Sequence, residues 1–231
     1  MNQQYKITPV AHIHSGFPEK FGIPRQSGLI ESLKAEIIFE EEYAIPEAVR
    51  GLEAYSHIWL IWGFSESARD TWSPTVRPPR LGGNIRMGVF ATRSPFRPNS
   101  LGLSCVRLEG IETDTKAGPI LHVAGADLMD GTPIFDIKPY LPLSDIRTDA
   151  AEGFAGDVKD YHLEVDCPPA LLCLIPEAHR DAVLALLAQD PRPSYQRDAS
   201  RMYGMKYEGM NIRFRVEEGI LTVCGIEHLT P

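Results

Sequence analysis

Four cysteines stand in 231 residues, at Cys105, Cys167, Cys173 and Cys224, with no C-x-x-C pair among them. That scatter excludes a disulfide framework and a cysteine-built zinc site, and reads as reduced thiols in a cytoplasmic protein. No apolar run is long enough to span a bilayer, so no membrane partner is expected. The opening stretch MNQQYKITPVAHIHSG lacks the charged leader and apolar block of a secretion signal. No G-x-G-x-x-G follows a strand, and no Walker loop, G-x-S-x-G or H-E-x-x-H occurs. Dinucleotide, nucleoside-triphosphate, serine-hydrolase and zinc-protease chemistries therefore have no support. His12 and His14 share one strand face, but no third ligand stands at a recognisable spacing. A structural role is expected for them and no metal.

One further absence is local. From Thr71 to Leu108 there is no acid and no lysine, yet there are six arginines: Arg77, Arg80, Arg86, Arg93, Arg97 and Arg107. The whole chain has formal net charge −8, so the remainder is more acidic still. Arginine offers a planar fork to phosphate or carboxylate and stacks on bases. The interleaved Pro, Gly and Asn of TVRPPRLGGNIRMGVFATRSPFRPNSLGLS fix loop shapes where a flexible linker would not. The segment reads as a preorganised anion site on an otherwise acidic body, as suits a selective binder of nucleic acid.

Hydrophobic content of 43% and charged content of 23% are those of an ordinary globular protein. Ile7 to Ile13, Leu33 to Phe39, His57 to Phe64, Arg86 to Thr92, Leu101 to Ile111 and Ile120 to Ala126 read as strands between turn residues. HIWLIWGF is apolar on both faces, which predicts a buried strand with Trp59, Trp62 and Phe64 in the core. Ile45 to Leu52, entered through Pro46, predicts a turn or two of helix. Many short strands and little helix predict a mainly β fold without a Rossmann sheet, a barrel or a sandwich through about Pro142, and an antiparallel β-barrel is the expectation for residues 1–147. Thr148 to Gly156 is small and acidic and reads as a linker. Residues 157–231 predict a small α+β unit: a strand at Tyr161 to Val165, one clear helix at Pro176 to Gln189 and a hairpin of Asn211 to Val216 with Ile220 to Ile226. The helix places Val183, Leu184 and Leu187 on one face.

Three loops carry the remaining chemistry. Asp130-Gly131-Thr132-Pro133 is a strong turn signal, flanked by Asp127 and Asp136 and followed by Lys138. A carboxylate beside an exposed glycine backbone suits a ribose diol or an amine. Pro24-Arg25-Gln26-Ser27-Gly28 is a second rigid loop. Asp190-Pro191-Arg192-Pro193-Ser194-Tyr195 stops the helix with two prolines where one suffices.

The run RPPRLGGNIRMGVFATRSPFRPNSLGLS, with PRQSGLI, AVRGLEAYSHIWLIW, GADLMDGTPIFDIKPYLP and LAQDPRPSY, resembles the TsaA-like, or TrmO, family of tRNA methyltransferases. The likeness extends over essentially the whole chain. It implies an S-adenosylmethionine-dependent enzyme that methylates N6 of threonylcarbamoyl-adenosine beside the tRNA anticodon. It also implies a β-barrel cofactor domain, a small C-terminal domain and a homodimer. Carried over by position, the cofactor site comprises Pro24, Arg25, Gln26, Ser65, Glu66, Arg93, Leu103, Asp127, Leu128, Asp130 and Gly131. Arg77, Arg80, Arg86, Arg97 and Lys138 become candidates for tRNA phosphates or the modified base. Arg192 is expected to contribute from the second domain or from the partner subunit.

The reaction asks for a proton acceptor and in-line placement, because N6 of a carbamoylated adenosine is a poor nucleophile. Asp130 or Asp136 is a candidate acceptor, and Arg97 or Lys138 a candidate partner for the threonyl carboxylate. Two other classes compete. A non-catalytic RNA-binding β-barrel would use the Arg77 to Arg107 patch and show no cofactor affinity. A small-molecule hydrolase or isomerase built on the Asp127 to Asp136 loop would need no basic patch.

Overall fold

The computed structural model describes residues 5–65, 71–78, 85–151, 153–154, 161–193 and 198–229. Six strands close into an antiparallel barrel in the order β1-β2-β7-β6-β3-β8. They are β1 (Ala11–Ser15), β2 (Lys34–Phe39), β3 (His57–Gly63), β6 (Leu101–Glu112), β7 (Ile120–Ala124) and β8 (Pro133–Pro139). Strand alternation fills the interior: Ile13, Ile37, Ile58, Leu60, Val106, Leu121, Val123 and Ile134 are all buried there. Closure leaves no unpaired edge, which suits a sheet this short.

Between β3 and β6 the described residues hold β4 (Thr75–Val76), paired to β5 (Met87–Gly88), and a 3-10 turn over Val89–Ala91. The strand expected at Arg86 to Thr92 is therefore two residues of ladder followed by a tight turn. Arg86, Phe90 and Arg93 point outward from it instead of alternating into a core. The helical stretch at Ile45 to Leu52 is present as a 3-10 turn over Pro46–Val49, followed by another at Leu52–Ala54.

β3 is not apolar on both faces for the reason expected. Ile58, Leu60 and Trp62 point inward, while Trp59 and Ile61 are half-buried on the outer face. Trp59 Nε1 donates to Asp145 Oδ2 at 2.9 Å, and the same oxygen accepts the Leu141 N–H. These bonds, the backbone one first, hold the Asp145 carboxyl below the usual carboxylate range. They also pin α1 (Pro142–Asp145) across the barrel wall.

The second sheet has the order β10-β11-β12-β9, with β9 (Glu164–Asp166) parallel to β12 (Ile220–His228). β10 (Tyr203–Tyr207) and β11 (Met210–Glu217) complete it. The short α2 (Pro169–Leu172) precedes α3 (Glu177–Ala188), which buries Ala182, Val183, Leu186 and Leu187. Leu186 takes the core position expected of Leu184. Phe17, Ile30 and Leu33, from the stretch between β1 and β2, enter this second core beside Tyr207 and Met205. The Glu208 N–H donates to Gly16 O at 2.9 Å, and Lys206 pairs with Glu19 at 2.9 Å. The barrel and the second sheet therefore share packing, and a cleft forms between them.

Candidate active site

At one mouth of the barrel a cavity of about 680 Å³ opens, within the range of small-molecule sites. Its floor is the end of β3, from Ile61 to Ser65, and the start of β6, from Leu101 to Leu103. Its sides are the loop Asp127–Met129, the loop Ile23–Gln26, and Arg93 and Arg97. A larger cavity of about 1610 Å³ shares Pro24, Arg25, Gln26 and Arg93 with it. That second cavity is walled by Arg77, Arg86 and Phe90 of the acid-free segment and by Asp190 to Pro193 of the second unit.

Backbone geometry sets the first wall. Gly125, at φ +77°, crosses Gly28 so closely that a Cβ on it would lie 3.3 Å from Gly28 Cα. The Gly28 N–H donates to Gly125 O at 2.9 Å, and Ser27 Oγ accepts the Cys105 N–H at 3.1 Å. Pro24 to Gly28 is thereby fixed against the loop that carries Asp127. Gln26 binds both ways: its Nε2 donates to Arg25 O at 2.6 Å and its Oε1 accepts from Arg93 Nη1. Arg97 Nη1 donates to Thr92 O at 3.2 Å, and its guanidinium lies 6.0 Å from the Phe90 ring centroid.

Asp127 is the one carboxylate lining the smaller cavity among the described residues. Burial pushes its carboxyl above the usual range, against the Ser104 hydroxyl bond and the Arg93 charge, which favour the ionised form. Ser104 Oγ donates to Asp127 Oδ1 at 2.6 Å and accepts from Trp62 Nε1 at 2.9 Å.

Of the residues carried over from sequence, Pro24, Arg25, Gln26, Ser65, Arg93, Arg97, Leu103, Asp127 and Leu128 line this cavity together. Glu66 and Arg80 lie outside the described residues, as do Ser194 and Tyr195. Four residues stand elsewhere. Asp130 Oδ1 accepts the Ser15 N–H at 3.0 Å and faces His14 Nδ1 at 3.3 Å, while the Gly131 N–H donates to Ile13 O. Asp130-Gly131 is thus the turn that closes the seam between β1 and β8, and Thr132 is the residue of this turn that reaches the cavity. Asp136 and Lys138 pair with each other at 2.8 Å. Neither lines the cavity: a bulge between Ile134 and Asp136, opposite Ile61 and Trp62, shifts the alternation of β8, so that Ile134 and Ile137 both pack on the core and Asp136 and Lys138 stay on the outer face. Arg107 also leaves the patch, facing Glu31 across 3.5 Å on the outer wall. His12 faces Glu40 at 2.5 Å, and among the described residues no group of His, Cys, Asp or Glu could hold a metal ion.

Sequence reasoning missed Ser104 and the partnership of Trp62. The signal was present: in the inward series Ser104, Val106, Leu108 the first position is polar. Asp190 to Pro193 lines the chain's own cleft, so its expected reach toward a partner is not needed to bring it to the site.

A closed antiparallel barrel whose mouth gathers a buried carboxylate, arginines and apolar side chains defines a non-Rossmann ligand-binding class. Residues 12–146 match the family model for the tRNA-methyltransferase O N-terminal domain, and residues 175–229 that for the TrmO C-terminal domain. The chain belongs to the TrmO family. It is 39% identical over 231 residues to the Escherichia coli tRNA (adenine(37)-N6)-methyltransferase, covering 96% of this chain and 98% of that protein. A Pseudomonas aeruginosa relative, provisionally named an S-adenosylmethionine-dependent methyltransferase, is 38% identical over 227 residues, 91% of this chain and 92% of its own. The crystal structure of TrmO from P. aeruginosa superposes with a TM-score of 0.80 at 31% identity, covering 99% of both chains.

Proposed function

We propose that this protein is an S-adenosylmethionine-dependent tRNA methyltransferase acting on N6 of adenosine beside the anticodon, with threonylcarbamoyl-adenosine as its substrate. The observation that carries the reading is the convergence of Asp127, Arg93, Gln26 and Leu103 at the barrel mouth, beside a cleft lined by Arg77 and Arg86. These residues fit the cofactor in kind. A carboxylate suits amine or hydroxyl donors, arginine suits a carboxylate, and Leu103, 49% exposed, offers an apolar face to a ring.

When bound, S-adenosylmethionine supplies an electrophilic methyl group on a sulfonium centre. The chain's own residues do the rest. Asp127 accepts hydrogen bonds from the ligand's donors. Arg93, held by Gln26, fixes an anionic end and keeps the reacting groups in line. Arg77 and Arg86 take phosphates of the anticodon arm, and Phe90, 73% exposed, offers a ring for a base to stack on. Arg97 is the partner for the threonyl carboxylate. Without that carboxylate a guanidinium in the cavity loses its partner, which disfavours plain adenosine.

The active unit is proposed to be a homodimer in the cytoplasm. The resemblance supports it, and Leu101 is an exposed apolar position at the cavity rim that a second copy would cover. Full activity from a monomeric species in sedimentation would remove the dimer from the reading.

Two measurements test the function. Calorimetry with S-adenosylmethionine is expected to show binding. Mass spectrometry of tRNA nucleosides from cells lacking the protein is expected to show loss of the methylated threonylcarbamoyl-adenosine alone. Salt-sensitive RNA binding without cofactor affinity would select the non-catalytic barrel instead.

A further inference from the structure

Ser104 is fully buried in the barrel wall, where its inward neighbours along β6 are apolar. Its hydrogen bonds have only one possible direction. An indole N–H donates and cannot accept, so Ser104 Oγ is the acceptor for Trp62 Nε1. A hydroxyl has one proton, and the Asp127 Oδ1 atom 2.6 Å away receives it. The chain from Trp62 through Ser104 to Asp127 therefore leaves Asp127 as an acceptor on that oxygen. The backbone takes part as well: Gly102 pairs with Trp62 across the ladder, and a Cβ there would overlap the indole that starts the chain. An apolar pair at positions 62 and 104 would fill the wall without burying these polar groups, so the wall itself does not demand them.

We propose that Ser104, oriented by Trp62, is a positioning residue that holds Asp127 as a fixed acceptor facing the barrel-mouth cavity, so that the site selects a ligand bearing amine or hydroxyl donors. The inference rests on reading this cavity as the cofactor site. It goes beyond that reading in assigning two core residues to ligand selection.

Burial raises the Asp127 carboxyl, and the Ser104 hydroxyl leads the contributions that oppose it, followed by backbone N–H groups and the Arg93 charge. Among the described residues, the other charged groups lining this cavity are Lys20, Arg25, Arg93 and Arg97, all cationic. Removing the hydroxyl therefore makes Asp127 harder to ionise, and a ligand that needs the ionised form is released at higher pH.

The test compares the wild-type protein with Ser104→Ala, Trp62→Phe and Asp127→Asn. Carbon NMR of labelled aspartate carboxyls, in the unliganded protein, follows the Asp127 signal assigned by its absence in Asp127→Asn. In Ser104→Ala the titration midpoint is expected to move to higher pH, and S-adenosylmethionine affinity at pH 7 to fall about 3- to 10-fold. Trp62→Phe, which keeps a ring in the wall, should shift both in the same direction by less. It carries the test if Ser104→Ala does not fold. In the Asp127→Asn background, Ser104→Ala should leave affinity unchanged. An Asp127 midpoint that stays in place in the folded variants would overturn the proposal, even where their melting temperatures fall. If the wild-type protein does not bind S-adenosylmethionine, the cofactor reading fails while the carboxyl titration still decides the positioning role.

Discussion

Two aspartates face the adjoining cavities, Asp127 from the barrel and Asp190 from the second unit, and their surroundings drive them in opposite directions. Asp190, at φ +51° just past the end of α3, is 9% exposed. Arg192 holds it by a fork, Nε to Oδ1 at 2.7 Å and Nη2 to Oδ2 at 2.9 Å, and Tyr161 donates to Oδ2 at 2.9 Å. Burial alone would raise its carboxyl, but the Arg192 and Tyr161 bonds outweigh burial and the net direction is down. Asp127 has the Ser104 hydroxyl, backbone N–H groups and the Arg93 charge on its side but no arginine fork, and burial wins. The difference separates a clasp from a site. A carboxylate already neutralised by an arginine fork fixes the loop. A carboxylate without such a fork keeps acceptor capacity for a ligand.

The comparison breaks most visibly at the clasp. Arg192→Ala strands the Asp190 carboxylate and should destabilise the protein by about 3 kcal/mol in urea unfolding at pH 7. Arg192→Lys keeps the charge but not the fork and should lose less. The sign with pH follows from the lowered folded value. The clasp contributes fully above the unfolded carboxyl pKa of about 4, and that contribution is lost as pH falls through the folded value. Equal stability of the wild-type protein and Arg192→Ala at pH 7 would mean that the clasp is an ornament of the loop.

On the barrel side the corresponding change is Arg93→Ala. It removes the guanidinium that bonds Gln26 and offsets the Asp127 charge. Cofactor affinity should drop by about 1.5–3 kcal/mol, with tRNA affinity nearly unchanged. Calorimetry reads the first and filter binding the second. A cofactor affinity within twofold of wild type would contradict the placement of Arg93.

Some of this was legible in the sequence. Alternation in β2, β6 and β7, proline entry into α3 and the Glu218-Gly219 turn of the hairpin are local signals, and local rules read them. The arginine window is compositional and needed no fold. What local rules could not see was direction. The Asp130-Gly131 turn has the chemistry of a site, yet its carboxylate caps Ser15, because β8 must pair with β1 to close the barrel. Asp136 and Lys138 are turned outward because a bulge in β8, invisible before the pairing is known, shifts its alternation after Ile134. β10, with a glycine at its second position, and β9, three residues long and parallel to β12, carry too little pattern to distinguish from loop. Ser104 was passed over because a single polar residue in a strand looks like an outward position until the register is known.

A smaller effect is expected along the larger cavity, where Arg77 and Arg86 stand exposed. Arg77→Ala and Arg86→Ala should weaken tRNA binding regardless of sequence. Each should flatten the slope of log affinity against log salt by about one unit per lost phosphate contact. Cofactor affinity should not move, which separates this wall from Arg93. A salt slope that stays as steep as wild type in both variants would take the phosphate contacts elsewhere.

The smallest effect has the opposite sign and bears most directly on the contrast between the two aspartates. A carboxyl whose folded pKa is raised binds its proton more tightly in the native state than in the unfolded chain. Stability therefore falls as pH rises from about 4 through the folded value. At pH 7 the raised Asp127 carboxyl works against the unliganded fold. Asp127→Asn keeps the shape and an oxygen for Ser104 but removes the charge, so it should raise the unfolding midpoint at pH 7. The gain should vanish below pH 4, where the native aspartate is protonated. The same variant should lose cofactor affinity. Asp190→Asn should do the reverse, weakening the protein at pH 7 because Arg192 loses its counter-ion. A fall in stability for both variants would mean that Asp127, like Asp190, is held for the fold and not for the ligand.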